Sequence, residues 1–206
     1  MELYVKINMV DNFNLIGPLF YFNEANNIFF HCQIVQRAKD HPEKKVRERS
    51  IQTYLIRSKS HLYELKDKII LLCNYYKARA YINVSGKDFI EVNKLLLNKL
   101  ASYNYDNNIQ AINPSRLLNS CIGEIISKKP IWIIDIDDLS IKDDVYQYFQ
   151  EIGYEGYGIV EIPTVQGYHL LTSKFNTNRF QAKFPDIDIH KNSMGTLLYC
   201  PNIDYE

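Results

Sequence analysis

The sequence is poor in the residues that mark specialised architectures. Its 206 residues include only eight glycines and seven prolines, too few for a collagen-like or linker-rich chain. No apolar run approaches the roughly 18 residues of a membrane-spanning helix. The first residues, Met1 to Tyr4, lack the basic-then-apolar order of a signal peptide. These absences predict a cytoplasmic protein without a membrane partner.

Cysteine is also scarce. The four cysteines are Cys32, Cys73, Cys121 and Cys200, and no two are closer than 41 residues. The chain has no CxxC and no short Cys/His cluster, which excludes a zinc finger built from neighbouring residues. Because each cysteine lies among apolar residues, we expect reduced and mostly buried thiols.

Charge is balanced overall but unevenly distributed. The chain carries 24 basic and 24 acidic residues; residues 1–130 hold 19 of the basic and 12 of the acidic ones, and residues 131–206 hold 5 and 12. Such asymmetry is typical of a chain with one half facing a polyanion and the other binding a cation. Two charged surfaces that pair with each other would give the same asymmetry.

The order of apolar patterns predicts an α+β domain with a mainly antiparallel sheet. The hydrophobic fraction of 46% excludes a disordered chain. We expect strands at 79–85, 131–137, 168–172 and 186–190 to share one sheet, with helices packed on one of its faces. Residues 1–77 are predicted to form a basic module of a β-hairpin and a helix. Residues 78–206 are predicted to form the catalytic core of one compact unit.

A basic segment joins the first two predicted strands. Between Arg37 and Lys59 the chain carries eight basic and three acidic residues. We predict that this segment is a β-hairpin whose loop, with Lys44 and Lys45, follows a nucleic-acid backbone. The alternative is a solvated hairpin loop without a partner.

The strongest predicted strand ends in carboxylates. In Ile131–Asp138, Asp135 and Asp137 lie two residues apart and so share one face of the strand, whereas Asp138 follows them. Ionised carboxylates beside such an apolar strand are costly unless they are paired or bind a cation. We therefore expect Asp135 and Asp137 to bind a hard divalent ion. The alternative is that the acids cap the end of the strand, which suits Asp138 well.

Two further segments carry polar residues at the predicted sheet. His169 follows a Gly-Tyr pair in Pro163–Thr172, and a histidine there either donates to a phosphate oxygen or has only a structural role. Asp188 and His190 are again two residues apart in a short strand. A carboxylate on a strand next to Asp135 and Asp137 would complete a metal site.

The order of these segments resembles the archaeo-eukaryotic primase superfamily, the primase-polymerases. Ile133–Asp137 matches its first motif, a DxD with hydrophobic flanks. Pro163–Leu170 is similar to the second motif of phage and plasmid members, with Gly167 where many members have serine. Asp188–Lys191, followed by Gly195–Pro201, is similar to the third, an acid before a glycine and an apolar strand. The resemblance covers about residues 78–201.

The resemblance implies an RRM-like catalytic sheet and a nucleotidyltransferase. Asp135, Asp137 and Asp188 would be the ligands of Mg²⁺ or Mn²⁺, and His169 would contact the phosphates of a nucleoside triphosphate. Lys174 would face the same phosphates. The partners would be DNA or RNA and, because no helicase module follows Pro201, a separate helicase. A phage or mobile element would be the natural context.

Two other functions fit the same residues. A metal-dependent nuclease or phosphodiesterase would use the same acids, and a catalytically inactive nucleic-acid-binding protein would keep only the fold. If Asp135, Asp137 and Asp188 cluster without metal, their mutual repulsion is expected to raise the pKa of at least one of them.

Overall fold

The computed structural model of the chain describes residues 9–23, 25, 27–41, 47–105, 112–156 and 158–200. Its helices are α1 (Phe13–Ile16), α2 (Lys59–Glu64), α3 (Lys66–Tyr76), α4 (Phe89–Tyr105), α5 (Pro114–Glu124), α6 (Lys142–Glu151) and α7 (Thr177–Lys183). Its strands are β1 (Val10–Asp11), β2 (Ile28–Gln36), β3 (Arg49–Ile56), β4 (Arg79–Asn83), β5 (Lys87–Asp88), β6 (Trp132–Ile136), β7 (Val160–Pro163), β8 (Tyr168–Thr172), β9 (Asp188–His190) and β10 (Met194–Tyr199). The protein is therefore α+β with antiparallel sheets, as predicted.

Local sequence signals fix where several helices begin. The side chain of Asn113 accepts a hydrogen bond from the backbone of Arg116, and Pro114 occupies the first turn of α5. Asn176 caps α7 in the same way, through the backbone of Arg179. An asparagine cap satisfies one of the backbone N–H groups that a helix leaves unpaired at its start. Such caps depend only on nearby residues, so the sequence reveals them.

The strands form two sheets. The large sheet has the order β1-β10-β4-β2-β3, with β5 pairing with β2, and the small sheet has the order β7-β8-β6-β9. The prediction that 131–137, 168–172 and 186–190 share a sheet is confirmed. The prediction that 79–85 belongs to it is wrong, because β4 pairs with β2 and β10 in the large sheet.

The large sheet crosses the predicted boundary at residues 77 and 78. Its strands β2 and β3 precede that boundary, whereas β4 and β10 follow it. The segment from 28 to 56 is a β-hairpin, as predicted, with β2 antiparallel to β3. Lys44 and Lys45 of its loop lie outside the described residues.

A shared core joins the two sheets. The main hydrophobic cluster contains Ile82 of the large sheet and Ile69 of α3 together with Ile133, Ile162 and Leu171 of the small sheet. A second cluster packs the other face of the small sheet against α6 and α7, and a third packs α4 and α5 against Phe29 of β2. The small sheet is thus covered on both faces, which explains why β6 is apolar on both sides.

None of the helices in the described parts of the chain has the length and apolar character required to cross a bilayer.

Candidate functional site

The centre of the site is Asp135 on β6. The pairing register places Asp135 directly opposite His169 of β8 on one side and opposite Asp188 of β9 on the other. Directly opposed residues of antiparallel strands project from the same face, with Cα atoms about 4.5–5.5 Å apart. The strands that carry Asp135 and Asp188 are therefore neighbours, as a shared metal site would need. Asp135 lies between a histidine and a second carboxylate.

His169 and Asp135 are in contact. His169 Nε2 lies 3.4 Å from Asp135 Oδ1, and this interaction is the main reason that the pKa of Asp135 is below its ordinary value. Partial burial acts in the opposite direction, while His190 and Lys39 lower the pKa further. Asp135 is therefore ionised at neutral pH. The expected raising of a carboxyl pKa by mutual repulsion does not apply to Asp135.

A small cleft opens over these residues, and we call it the carboxylate cleft. It has a volume of about 130 Å³. One wall belongs to the small sheet and its β7–β8 turn, and the other comes from the large sheet and the start of the basic hairpin. The first wall is Asp135, Asp137, Thr164, Val165, Gln166 and His169, and the second is Arg37, Lys39, Arg79, Tyr81 and Thr196.

The cations of the second wall differ in how they are held. Arg79 forms a bidentate ion pair with Asp40, with Arg79 Nε donating to Asp40 Oδ2 at 2.7 Å. Arg37 donates to the hydroxyl of Tyr81 at 3.1 Å. Lys39 is exposed, and none of the described side chains forms a hydrogen bond or ion pair with it. Its charge acts on Asp135 through space, so Lys39 is the cation best placed to meet an anion in the cleft.

The turn between β7 and β8 is packed tightly against the end of β6. Thr164 donates its backbone N–H to the carbonyl of Gly167 at 2.9 Å, and Gly167 donates to the Thr164 hydroxyl at 3.0 Å. A Cβ added to Gly167 would stand 2.0 Å from the carbonyl oxygen of Ile136. Glycine is thus required where this turn meets the residue before Asp137, and the contact holds Thr164, Val165 and Gln166 over the cleft.

The predicted residues fall into three groups. Asp135 and His169 are in contact, and Asp137 lines the same cleft. Asp188 is on the same face, on the far side of Asp135 from His169, and is exposed. Lys174 is not brought to the cleft. It follows Thr172, which pairs with Trp132 at the opposite end of β6 from Asp137.

The donor chemistry of the site suits a hard cation. Asp135, Asp137 and Asp188 supply carboxylate oxygens, the ligands that Mg²⁺ and Mn²⁺ prefer. In the described part of the chain, however, no three His, Cys, Asp or Glu side chains are grouped closely enough to hold one ion. One reason is that the Asp135 carboxylate is directed at His169.

The sequence analysis missed Arg79 and the role of Tyr81. Both belong to an alternating strand that reads as ordinary core, and only the structure shows that they line the same cleft as Asp135. Lys39 and Arg37 were part of the basic segment, without an assigned contact to the acids.

No family model, curated protein or solved structure has significant similarity to this chain.

Proposed function

We propose that the protein is a metal-dependent nucleotidyltransferase of primase-polymerase type, acting on nucleic acid and nucleoside triphosphates. The observation that carries the proposal is the position of Asp135, which the sheet register places between His169 and Asp188. The spacing of the three motifs in the sequence supports the same conclusion. A wall of cations facing carboxylates is what a reaction between a polyphosphate and a metal-binding site requires.

Each residue has a defined part in this proposal. Mg²⁺ or Mn²⁺ would be held by Asp135, Asp137 and Asp188 once the ion draws the Asp135 carboxylate away from His169, and it would neutralise charge on the reacting phosphates. Lys39 and Arg37 would bind the β- and γ-phosphates, which are the leaving group. His169, whose Nε2 faces Asp135, would orient that carboxylate and, when a metal ion takes the carboxylate, would donate from Nε2 to a phosphate oxygen.

The transfer itself is a substitution at phosphorus. A 3′-oxygen bonds to the α-phosphorus, the bond from that phosphorus to the bridging oxygen breaks, and pyrophosphate leaves. The hydroxyl proton passes by way of the ionised Asp135 carboxylate to water, because the lowered pKa of Asp135 makes it a weak base that does not keep the proton. The cleft positions the two reactants, and positioning with charge neutralisation supplies most of the catalysis in phosphoryl transfer.

The test is nucleotide addition to a single-stranded DNA or a primed template with labelled nucleotides and Mn²⁺, resolved on a denaturing gel. We expect products from the wild-type protein, none from Asp135→Asn and wild-type amounts from Asp138→Asn. Asp138 is a matched control because its carboxylate accepts hydrogen bonds from Ser140 instead.

Two outcomes would contradict the proposal. Metal-dependent shortening of the DNA without nucleotides would identify a nuclease. Binding that persists in a chelator, without any nucleotide addition, would identify a non-catalytic nucleic-acid-binding protein.

A further inference from the structure

A polar row crosses the large sheet and ends at the carboxylate cleft. Thr53 of β3 pairs with Gln33 of β2, Gln33 pairs with Tyr81 of β4, and Tyr81 pairs with Thr196 of β10. Because directly paired residues share a face, these four side chains form one line across four strands. We call this line the sheet row. At about 4.8 Å per strand spacing it is about 14 Å long.

The sheet row lies on the face opposite the main core. The neighbouring residues Cys32, Ile34 and Ile82 point into that core and are fully buried, whereas Gln33 and Thr53 are partly exposed. Tyr81 is also partly exposed, and its hydroxyl accepts a hydrogen bond from Arg37. Gln33, Thr53 and Tyr81 therefore present amide, hydroxyl and aromatic groups on a partly exposed sheet surface, whereas Thr196, at the cleft end of the row, is buried, with an exposed fraction of 3%.

Helix α5 forms one side of the row. His31 and Leu55, the next pair along β2 and β3 on this face, lie under the helix, with Asn119 of α5 beside His31. Between β3 and α5 runs a groove of about 670 Å³, and its polar lining includes Thr53, Asn119 and Arg116. Arg116 is exposed and forms no ion pair with a described acidic side chain.

Cations form the other side. Arg79 pairs with Val35, two residues beyond Gln33 on the same face, and Arg37 follows at the end of β2. The sheet row thus lies between α5 and the arginines of the carboxylate cleft. Both of its ends have cations, Arg116 at the groove and Lys39 at the cleft.

We propose that the sheet row binds single-stranded nucleic acid, which enters through the groove beside Arg116 and reaches the carboxylate cleft at Thr196. Single strands combine charged phosphates with bases that need hydrogen-bonding or aromatic surfaces. Cations at the two ends and neutral polar groups between them complement that chemistry. The proposal deepens the proposed function, on which it rests for the role of the cleft, by naming the path of the nucleic acid.

The test measures binding without catalysis. The anisotropy of a fluorescent oligothymidylate of about 12 nucleotides is recorded against the full chain in a chelator, without nucleoside triphosphates, over a range of salt. Arg116→Gln is compared with Arg179→Gln. The two arginines are matched, because each is exposed and follows an asparagine cap by three residues. The backbone N of Arg116 lies 3.0 Å from Asn113 Oδ1, and that of Arg179 lies 3.1 Å from Asn176 Oδ1. Arg179, however, lies on α7, which packs on the other face of the small sheet.

We expect Arg116→Gln to weaken binding severalfold at low salt. The plot of log affinity against log salt should become less steep by ~0.7, the value for one lost phosphate contact on a single strand. Arg179→Gln should change neither quantity. Thr53→Glu, which places a negative charge within the row, should weaken binding about tenfold, whereas Asn93→Glu on the exposed side of α4 should not.

The results separate this inference from the proposed function. Four results would each overturn the inference. The first two are equal affinities of Arg116→Gln and Arg179→Gln, and an unchanged affinity of Thr53→Glu. The other two are no binding by the wild-type protein, and tighter binding of a duplex than of a single strand. Nucleotide addition that Arg116→Gln leaves intact, with unchanged affinity, would overturn the sheet row while keeping the enzyme. Binding that maps to the row without any nucleotide addition would overturn only the enzyme.

Discussion

At the scale of single residues, neighbouring aspartates in one short segment have different surroundings. Asp137 lines the carboxylate cleft, whereas Asp138 caps the turn that follows by accepting from the Ser140 backbone at 2.9 Å and from its hydroxyl at 2.7 Å. Mn²⁺ should stabilise the wild-type protein by ~2.7 kcal/mol at a hundredfold excess over its dissociation constant. Asp137→Asn should abolish that gain, and Asp138→Asn should keep it, because asparagine caps as well as aspartate. Calorimetry with and without Mn²⁺ decides: an equal gain in both variants would mean that Asp137 holds no metal.

The ion pair of Arg79 with Asp40 holds Arg79 in the second wall of the carboxylate cleft. Both side chains are nearly buried, with exposed fractions of 9% and 7%. Asp40→Asn would leave the Arg79 charge buried without its partner, and we expect the free energy of unfolding to fall by about 3 kcal/mol in a urea titration. Glu48→Gln is the control, since Glu48 is 61% exposed and lies 3.7 Å from Arg37; it should cost less than about 1 kcal/mol. A similar loss in the free energy of unfolding in both variants would show that the buried ion pair stabilises the protein no more than the exposed one.

We expect His31 to make the stability of the protein sensitive to acid. Burial, with a smaller contribution from the charge of Lys87, lowers the pKa of His31 from 6.5 to about 4, against opposing hydrogen bonds with Asn119 and Asn83. Between about pH 4 and pH 6.5, His31 is therefore protonated in the unfolded chain but neutral in the folded protein. The stability that neutral His31 gives is complete above pH 6.5 and is lost as the pH falls towards 4, by about 3 kcal/mol in total.

The pH dependence of unfolding tests this assignment. Unfolding free energies of the wild-type protein and His31→Gln, measured between pH 7 and about pH 4, should converge as the pH falls. His61→Gln, at a less buried histidine on α2, should run parallel to the wild type. A parallel curve for His31→Gln would mean that other groups cause the acid sensitivity.

At the scale of elements, the turn between β7 and β8 couples the small sheet to the cleft. In Gly167→Ala the new methyl group would meet the Ile136 carbonyl at 2.0 Å, so the turn or the end of β6 must shift. We expect a loss of at least about 2 kcal/mol of stability and a loss of nucleotide addition. The control is Gly123→Ala in α5, where an added methyl meets nothing within 4 Å; alanine should stabilise that helix by about 0.5–1 kcal/mol. Full activity in Gly167→Ala would show that the turn does not shape the site.

Individual elements could be predicted from the sequence where their signals are local. Strand 168–172 has the bounds that were expected, and asparagine caps mark the starts of α5 and α7. The helical spacing of Leu62, Leu65 and Ile69 favours one helix over 61–76, whereas the chain forms α2 and α3, which meet at Leu65. The apolar spacing continues across Leu65, so periodicity alone does not show the interruption.

Pairing between strands could be predicted only in part. The two-residue spacing in β6 and β9 placed Asp135 and Asp188 on defined faces, and their strands are neighbours. The assignment of β4 to the small sheet was wrong, because alternation shows which residues are buried but not which strand pairs with which. For the same reason Arg79 was not recognised as part of the site.

At the scale of the whole molecule, we expect the two sheets to unfold as one unit, because they share a core. Ile162 of the small sheet is fully buried in the cluster that also contains Cys32 and Cys73 on the large-sheet side. Removing part of Ile162 should therefore destabilise both sheets together. A leucine- or isoleucine-to-alanine change at such a site costs about 2–5 kcal/mol.

The chain offers a separate probe for each sheet. Its one tryptophan, Trp132, lies on β6 of the small sheet, whereas Cys32 lies on β2 and Cys73 on the α3 helix that packs against the large sheet. Denaturant unfolding followed by tryptophan fluorescence and by thiol labelling should give one midpoint, and Ile162→Ala should shift both curves equally. Phe180→Leu, in the separate core that joins the small sheet to α6 and α7, should also shift both curves, although Phe180 is not part of the core of the large sheet. A fluorescence midpoint at a lower denaturant concentration than the thiol-labelling midpoint would show that the small sheet unfolds alone. The carboxylate cleft would then open while the large sheet stays folded.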